Sequence, residues 1–471
     1  MNMRIIFVLF IAGLLACTKT NPNVCCTDAA DCSSAGIPTV QGCGDALACR
    51  GHVCVAETCS SSRECTADAP YCETPNGLCE LTCSNDNQCP GGSQTADDIH
   101  CVGGACVQCR AEVAADCSGA TPVCEGGVCR GCTEHTDCAS GVCAADGLCA
   151  ASGDISYVAV AGTINQDCSQ FSPCSLAKAL TLAHLYVVID SGNYANAGTI
   201  VLSNGRWLIG RGTRPVLTNP MHGPIIQLNS GANVRLANLQ ISDATASSSL
   251  EGDGVDCQSD GQPANRSLVL DNMLFLNNSG IGVLGHTCTV AARRSAFRSN
   301  GSGGMQLADL DSTIDRCEFS SNAGYAGLYT DGGVVHITNV FAFHNAKTGI
   351  DSESDKPGNV IEFSTIVDNG GAGLVLGSPG ATASNNIIAR NTMGPVQCAN
   401  PPCTYTGSIV SAGNDVTTLH FVSPDTQPYD YHLTAGSVAI DAAVTATLDH
   451  DFDGDARPKG GGRDVGADEA Q

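Results

Sequence analysis

Six asparagines, Asn278, Asn300, Asn322, Asn345, Asn369 and Asn391, recur at intervals of 22, 22, 23, 24 and 22 residues. Three residues before each stands a mostly large apolar side chain: Phe275, Phe297, Phe319, Ala342, Ile366 and Ile388. Shortly after five of them come a glycine and an aliphatic residue: Gly282-Val283, Gly304-Met305, Gly327-Leu328, Gly349-Ile350 and Gly373-Leu374. Three columns in step at one period define an internal repeat from Leu268 to Thr392, and a repeat of this length implies a solenoid.

What fills the period decides which solenoid. Each repeat holds short runs of alternating β-branched or aliphatic residues, broken by Gly, Asn, Asp and Ser, with no room for a ten-residue helical pattern. Such strands predict an all-β chain coiled into a parallel β-helix, successive rungs spaced about 4.8 Å apart. The Phe and Ile column then stacks inside. The asparagine column sits at a turn where its amides can bond up and down the stack.

Cysteine usage divides the remainder. Of 30 cysteines, 23 precede Ala150. From Cys25 to Cys149 there are 22, five fours and one pair: Cys26, Cys32, Cys49 and Cys54, then Cys59, Cys65, Cys72 and Cys79, then Cys83, Cys89, Cys101 and Cys106, and so on to Cys149, with Cys25 and Cys43 left as a possible extra pair. Almost no large apolar residues lie between them, so segments this small need staples rather than a core. Residues 25–150 are therefore expected to be disulfide repeats with little regular secondary structure, their connectivity open because four cysteines allow three pairings. A zinc ribbon on Cys106, Cys109, Cys129 and Cys132 competes on spacing. These units resemble small cysteine-rich repeats of secreted proteins, including the Dickkopf N-terminal type. Further on, Cys168 with Cys174, Cys257 with Cys288, and Cys398 with Cys403 are candidate disulfides, leaving Cys317 as a buried thiol.

Residues 1–16 combine an early charge, Arg4, with an apolar run from Ile5 to Ala16. Twelve residues are too few to span a bilayer core, so the run reads as a signal peptide. It ends in Leu14-Leu15-Ala16-Cys17, which resembles the bacterial lipoprotein box. That resemblance implies lipidation at Cys17, a tether over residues 17–24, and display on the outer membrane of a Gram-negative bacterium, the membrane being met through the lipid alone.

Tyr157 to Tyr194 resembles the opening of secreted β-helix proteins, with a first strand, a short plugging helix and a first rung. Tyr431 to Asp441 and Asp451 to Glu469 resemble the choice-of-anchor Q domain, which closes bacterial right-handed, pectate-lyase-like β-helix proteins. Together these resemblances imply a right-handed parallel β-helix over 151–430 and a cap over 431–471. Within the cap, Asp449, Asp451, Asp453 and Asp455 alternate around Gly454, half of a calcium-loop spacing, so a structural Ca²⁺ is one expectation and an Asp/Gly turn paired to Arg457 and Arg463 the other. No other cofactor is indicated.

The formal charge is −25, with 22 basic against 47 acidic residues and no basic run, which argues against nucleic acid as a partner. In register, the outward position after each Gly-aliphatic pair reads Asp256, Leu284, Gln306, Tyr329, Asp351 and Val375. Two residues on it reads Gln258, His286, Ala308, Asp331, Glu353 and Gly377. Asp331 and Glu353 should lie about one rung apart, with Asp351 and Asp355 nearby, as an acid/base pair of a polysaccharide-acting enzyme or as a solvated acidic face. His286 faintly resembles the Gly-His-Gly of polygalacturonases. The expected function is binding and display, the long face contacting polysaccharide or another surface by multivalency. A lyase, hydrolase or epimerase is the alternative, and a purely structural envelope protein a third.

Overall fold

The computed structural model describes residues 121–470, apart from 196–197, 204, 259–265, 354–355, 378–379, 400, 402, 412–415 and 445–446, together with short strands and single positions between 47 and 117. The chain divides into two compact units, Met1–Ala150 and Ala151–Gln471. Residues 1–24, including Cys17, lie outside the described residues, as does Asp355. Among the described residues no helix is long and apolar enough to cross a membrane.

In the first unit the fours of cysteines are a structural repeat. Antiparallel hairpins set the third and fourth cysteine of each group opposite one another: Cys49 and Cys54, Cys72 and Cys79, Cys101 and Cys106, Cys124 and Cys129. Cys143 and Cys149 form the equivalent bridge. Two of these hairpins turn on glycine pairs, Gly103-Gly104 and Gly126-Gly127, all at positive φ as a two-residue hairpin of this twist requires. In the last three groups, the cysteines facing each other do not bond to each other. Each of these three joins first to third and second to fourth: Cys83–Cys101 and Cys89–Cys106, Cys109–Cys124 and Cys117–Cys129, Cys132–Cys143 and Cys138–Cys149. Two bridges thus clamp a loop onto its hairpin, and the buried cysteines are themselves the core. All four cysteines of the zinc-ribbon spacing are consumed in disulfides.

The second unit is a parallel β-helix of about nine coils. Its three sheets hold eleven, ten and nine strands, and in each the neighbour of a strand is the third one along the chain, except that Ile155–Thr163 and Tyr186–Asp190, the first pair of the eleven, are consecutive. The first sheet runs from Ile155–Thr163 to Thr404–Thr406, the second from Asn193–Ala195 to Ile409–Val410, and the third from Ile200–Leu202 to Val396–Cys398. A short helix, Leu176–Thr181, capped by Ser175 and burying Leu176 and Ala179, packs on the first strand.

The three sequence columns hold each other in place. Phe275, Phe297 and Phe319 are fully buried and stack with centroids 4.8 Å apart. Each ladder asparagine follows a left-handed turn residue, Asn277, Ser299, Ser321, His344, Asp368 or Arg390. Its Nδ2 donates to the Oδ1 of the next, from Asn278 to Asn300 (2.9 Å), Asn322 (3.0 Å), Asn345 (2.9 Å), Asn369 (2.9 Å) and Asn391 (2.9 Å). The glycines fill the remaining space: a Cβ on Gly282 would lie 2.4 Å from the Gly304 carbonyl, 3.1 Å from the Phe297 ring and 3.2 Å from Asn300 Nδ2.

The C-terminal segment lies along the side of the coil. Outward residues of the second sheet, Phe341, Val367, Ile387 and Ala389, form a buried cluster with Phe421, Tyr431, Leu433 and Val465. In these coils the outward positions are apolar, and burying them against the segment removes that surface from water. Arg457 and Glu469, both fully buried, form an ion pair at its centre (2.9 Å), and Arg457 also lies over the Phe363 ring.

Candidate functional site

The outward column of the third sheet pairs residue on residue: Asp256 with Leu284, Leu284 with Gln306, Gln306 with Tyr329, Tyr329 with Asp351, and Asp351 with Val375. The second column sets His286 beside Ala308 and Ala308 beside Asp331. The Glu353 N–H donates to the Thr330 carbonyl (2.9 Å), which places Glu353 in the coil next to Asp331. His286 turns toward Gln306, their nitrogens 3.0 Å apart.

Asp351, Asp331 and Glu353 sit in different environments. Asp331 and Glu353 are exposed. Asp351 is only 2% exposed, and its Oδ1 is buried without a hydrogen-bond partner. Burial, followed by the Glu353 charge, pushes the Asp351 carboxyl up to about 7, with a hydrogen bond from Tyr325 acting the other way. The two tyrosines make the local structure. Tyr329 O–H donates to Glu353 Oε2 (3.3 Å) and Tyr325 O–H to Oε1 (3.5 Å), while the rings meet edge to face at 5.3 Å. Tyr325 is 52% exposed, a large aromatic face left to solvent. Burial pushes its hydroxyl up to about 12, so it remains a donor. Tyr325 precedes its strand and lies outside the repeat columns. Only the side-chain contacts identify it.

The alternating aspartates of residues 449–455 are not gathered on one point. Asp451 is buried and accepts the N–H groups of Gly454 (2.9 Å), Asp455 (2.7 Å) and Glu469 (3.1 Å). Asp449 pairs with His450 (2.8 Å), Asp453 with His432 (3.1 Å) and Asp455 with Lys459 (2.6 Å). The set is an Asp/Gly turn organised by backbone donors, and it does not fit a calcium shell. Its expected arginine partners are engaged elsewhere, Arg457 with Glu469 and Arg463 with the Leu448 carbonyl (2.8 Å). Outside the cysteines, the described residues bring one further group within metal-binding distance: His432, Asp453 and Asp468. Cys168–Cys174, Cys257–Cys288 and Cys398–Cys403 are disulfides, and Cys317 is a buried thiol, pushed by burial up to about 12 and so chemically quiet.

Folding also makes a basic cluster that the linear sequence lacks. Arg214, Arg294, Arg298 and Arg316 meet around one cavity of about 340 Å³ beside the second sheet.

Residues 253–420 match the family described as right handed beta helix region, and residues 50–155 match a family of unknown function, DUF8331. The second unit is a right-handed parallel β-helix. No curated protein matches the chain. Among solved structures, pectate lyase Pel9A superposes with a TM-score of 0.49 at 15% identity, covering 67% of this chain and 96% of the lyase. The A-module of the Azotobacter vinelandii mannuronan C-5 epimerase AlgE4 gives 0.35 at 16% identity, over 49% and 80%. A complex of XylC with xylose gives 0.39 at 9%, over 52% and 69%. At these identities the likeness is one of fold.

Proposed function

We propose that this chain is a binding and display protein that presents the third sheet of its β-helix to a neutral polysaccharide. The observation that carries this reading is the unequal exposure at the carboxylate cluster. Asp351, the group whose raised pKa would suit a general acid, is 2% exposed and shielded from any glycosidic oxygen, whereas Tyr325 in contact with it is 52% exposed. An open aromatic face stacks on sugar rings, and Glu353 beside it, with Asp331 further along the strand, accepts hydrogen bonds from sugar hydroxyls. Repetition along the coil adds further polar positions, Gln306 and His286 among them, so that weak contacts sum. The same reading takes Cys17 as a lipid anchor and the cell surface as the place of display, with the disulfide repeats as a stalk.

The test is glycan capture by the full chain, with parallel detection of new reducing or unsaturated ends. Binding that falls at least tenfold in Tyr325→Ala, about 1.4 kcal/mol, with no product formed, is the expected result. Product formation abolished by Asp351→Asn or Glu353→Gln would replace it with an enzyme.

A further inference from the structure

The arginine cavity lies on a different sheet from the tyrosine cluster and asks for a different ligand. Its walls are the outer face of the second sheet at Leu274, Ala296 and Arg298, the adjoining turns with Arg294 and Arg316, and Phe452 and Asp453 of the C-terminal segment. Four guanidinium groups face two carboxylates, Glu318 and Asp453, in a chain whose net charge is −25. Local charge there opposes the charge of the whole molecule.

Two of the four cations are already committed. Arg298 pairs with Glu318, and Arg294 with Asp271 (2.8 Å). The other two make no ion pair among the described residues. Arg316 donates from Nε and Nη2 to the carbonyls of Phe452 (3.0 Å) and Asp453 (2.9 Å). Arg214 donates from Nη2 to Asn272 Oδ1 (2.7 Å), and its Nε is buried with no acceptor. Burial, followed by the charge of Arg298, lowers the Arg214 pKa, so Arg214 lies close to a second cation that is itself paired to Glu318. A buried cationic donor without an acceptor is costly, and an oxyanion drawn to the guanidinium offsets both its charge and its open donors.

Backbone geometry gives a second, independent sign. In the turn between the first and second sheets one residue per coil is left-handed: Asn238, Asn272, Arg294, Arg316, Asn339, Phe363 and Asn385. Asparagine tolerates this conformation better than most residues, and the column is mostly asparagine. Arginine gains nothing there from its backbone. The two arginines occupy the two coils that follow Asn272, whose side-chain amide donates to Asn238 (3.1 Å), and both line the cavity.

We propose that this cavity is a binding site for a small oxyanion-bearing ligand, a carboxylate, sulfate or phosphate group on a body no larger than a monosaccharide, held by Arg214 and Arg316 with Arg298 and Arg294 beside them. A volume of about 340 Å³ admits a body of that size, and the planar guanidinium fork recognises carboxylate and tetrahedral oxyanions through paired N–H donors.

Calorimetry on the full chain tests this, at constant ionic strength in chloride, with glucuronate, glucose 6-sulfate, glucose 6-phosphate and uncharged glucose as probes. Saturable one-to-one binding of at least one charged probe and none of glucose is expected, the tightest probe naming the source of the oxyanion. Arg214→Gln should weaken that binding at least tenfold with an unchanged melting temperature, Arg214→Lys should recover part of it, and Glu318→Gln should tighten it. If Arg214→Gln does not fold, Arg298→Gln carries the same test. No saturable binding by any charged probe, equal binding of glucose, or full affinity in the arginine-to-glutamine variant would overturn the assignment.

Discussion

Replacing Asn322 by alanine removes the middle of the amide ladder, and its cost follows from four hydrogen bonds. Asn322 Oδ1 accepts from the backbone N–H of Asn300 (3.0 Å) and from Asn300 Nδ2 (3.0 Å). Its Nδ2 donates to the Phe297 carbonyl (3.0 Å) and to Asn345 Oδ1 (2.9 Å). After Asn322→Ala, Asn345 Oδ1 still receives the backbone N–H of residue 322, so that acceptor keeps a partner. The two donors of Asn300 are stranded in a buried turn. At about 1–3 kcal/mol for each unsatisfied buried group, the loss is about 3–6 kcal/mol, including the void left by the missing amide. Guanidinium denaturation followed by far-ultraviolet circular dichroism measures it. Fluorescence of Trp207, the only tryptophan and four pairings away along the first sheet, reports whether distant coils share the loss. Asn322→Asp supplies the internal control. At pH 8 it buries a charge and offers no donor, whereas at pH 4 the neutral carboxyl can both accept and donate, so it should be relatively more stable in acid. A loss below about 1 kcal/mol in Asn322→Ala, or no acid recovery in Asn322→Asp, would refute the ladder as a source of stability.

Two further predictions rest on named contacts. A Cβ on Gly304 would lie 2.4 Å from the Gly327 carbonyl and 2.8 Å from the Phe319 ring, so Gly304→Ala should cost about 1–3 kcal/mol, at the upper end because the first contact is backbone; an unchanged thermal melt would refute the packing of the three columns. Asp351 has a folded pKa raised to about 7 by burial and the Glu353 charge, so the folded chain holds a proton that the unfolded chain releases above its ordinary carboxylate value. The folded state therefore binds more protons across that window, and this group lowers stability as pH rises from the ordinary carboxylate range through about 7. Asp351→Asn should be more stable than the parent above pH 7 and show a flatter pH profile, and identical profiles would remove Asp351 from the account.

What the sequence disclosed and what it hid divide along the repeat itself. Asn300, Phe297 and Gly304 were legible because each must match its neighbour one coil away, and a side chain that must match recurs at the period. The outward column from Asp256 to Val375 was legible for the same reason, since register inside the coil carries register outside it. The meeting of Arg214 with Arg316 was not, because Arg214 has no counterpart at the period and only Arg294 repeats Arg316. They stand about a hundred residues apart and meet only when the coil has closed and the segment bearing Phe452 has folded along its side. The C-terminal segment was expected as a terminal cap, and its lateral packing depends on outward apolar residues at Phe341, Val367 and Ile387 that carry no periodic signal of their own. Disulfide pairing was hidden for a different reason. Cys101 and Cys106, and Cys124 and Cys129, face each other across their hairpins without bonding to each other, so the nearest pair in sequence misleads. In a solenoid, therefore, chemistry is to be sought where the repeat is broken: Tyr325 lies outside the columns and Arg294 and Arg316 interrupt an asparagine column, and these departures line the two surfaces proposed to meet ligands.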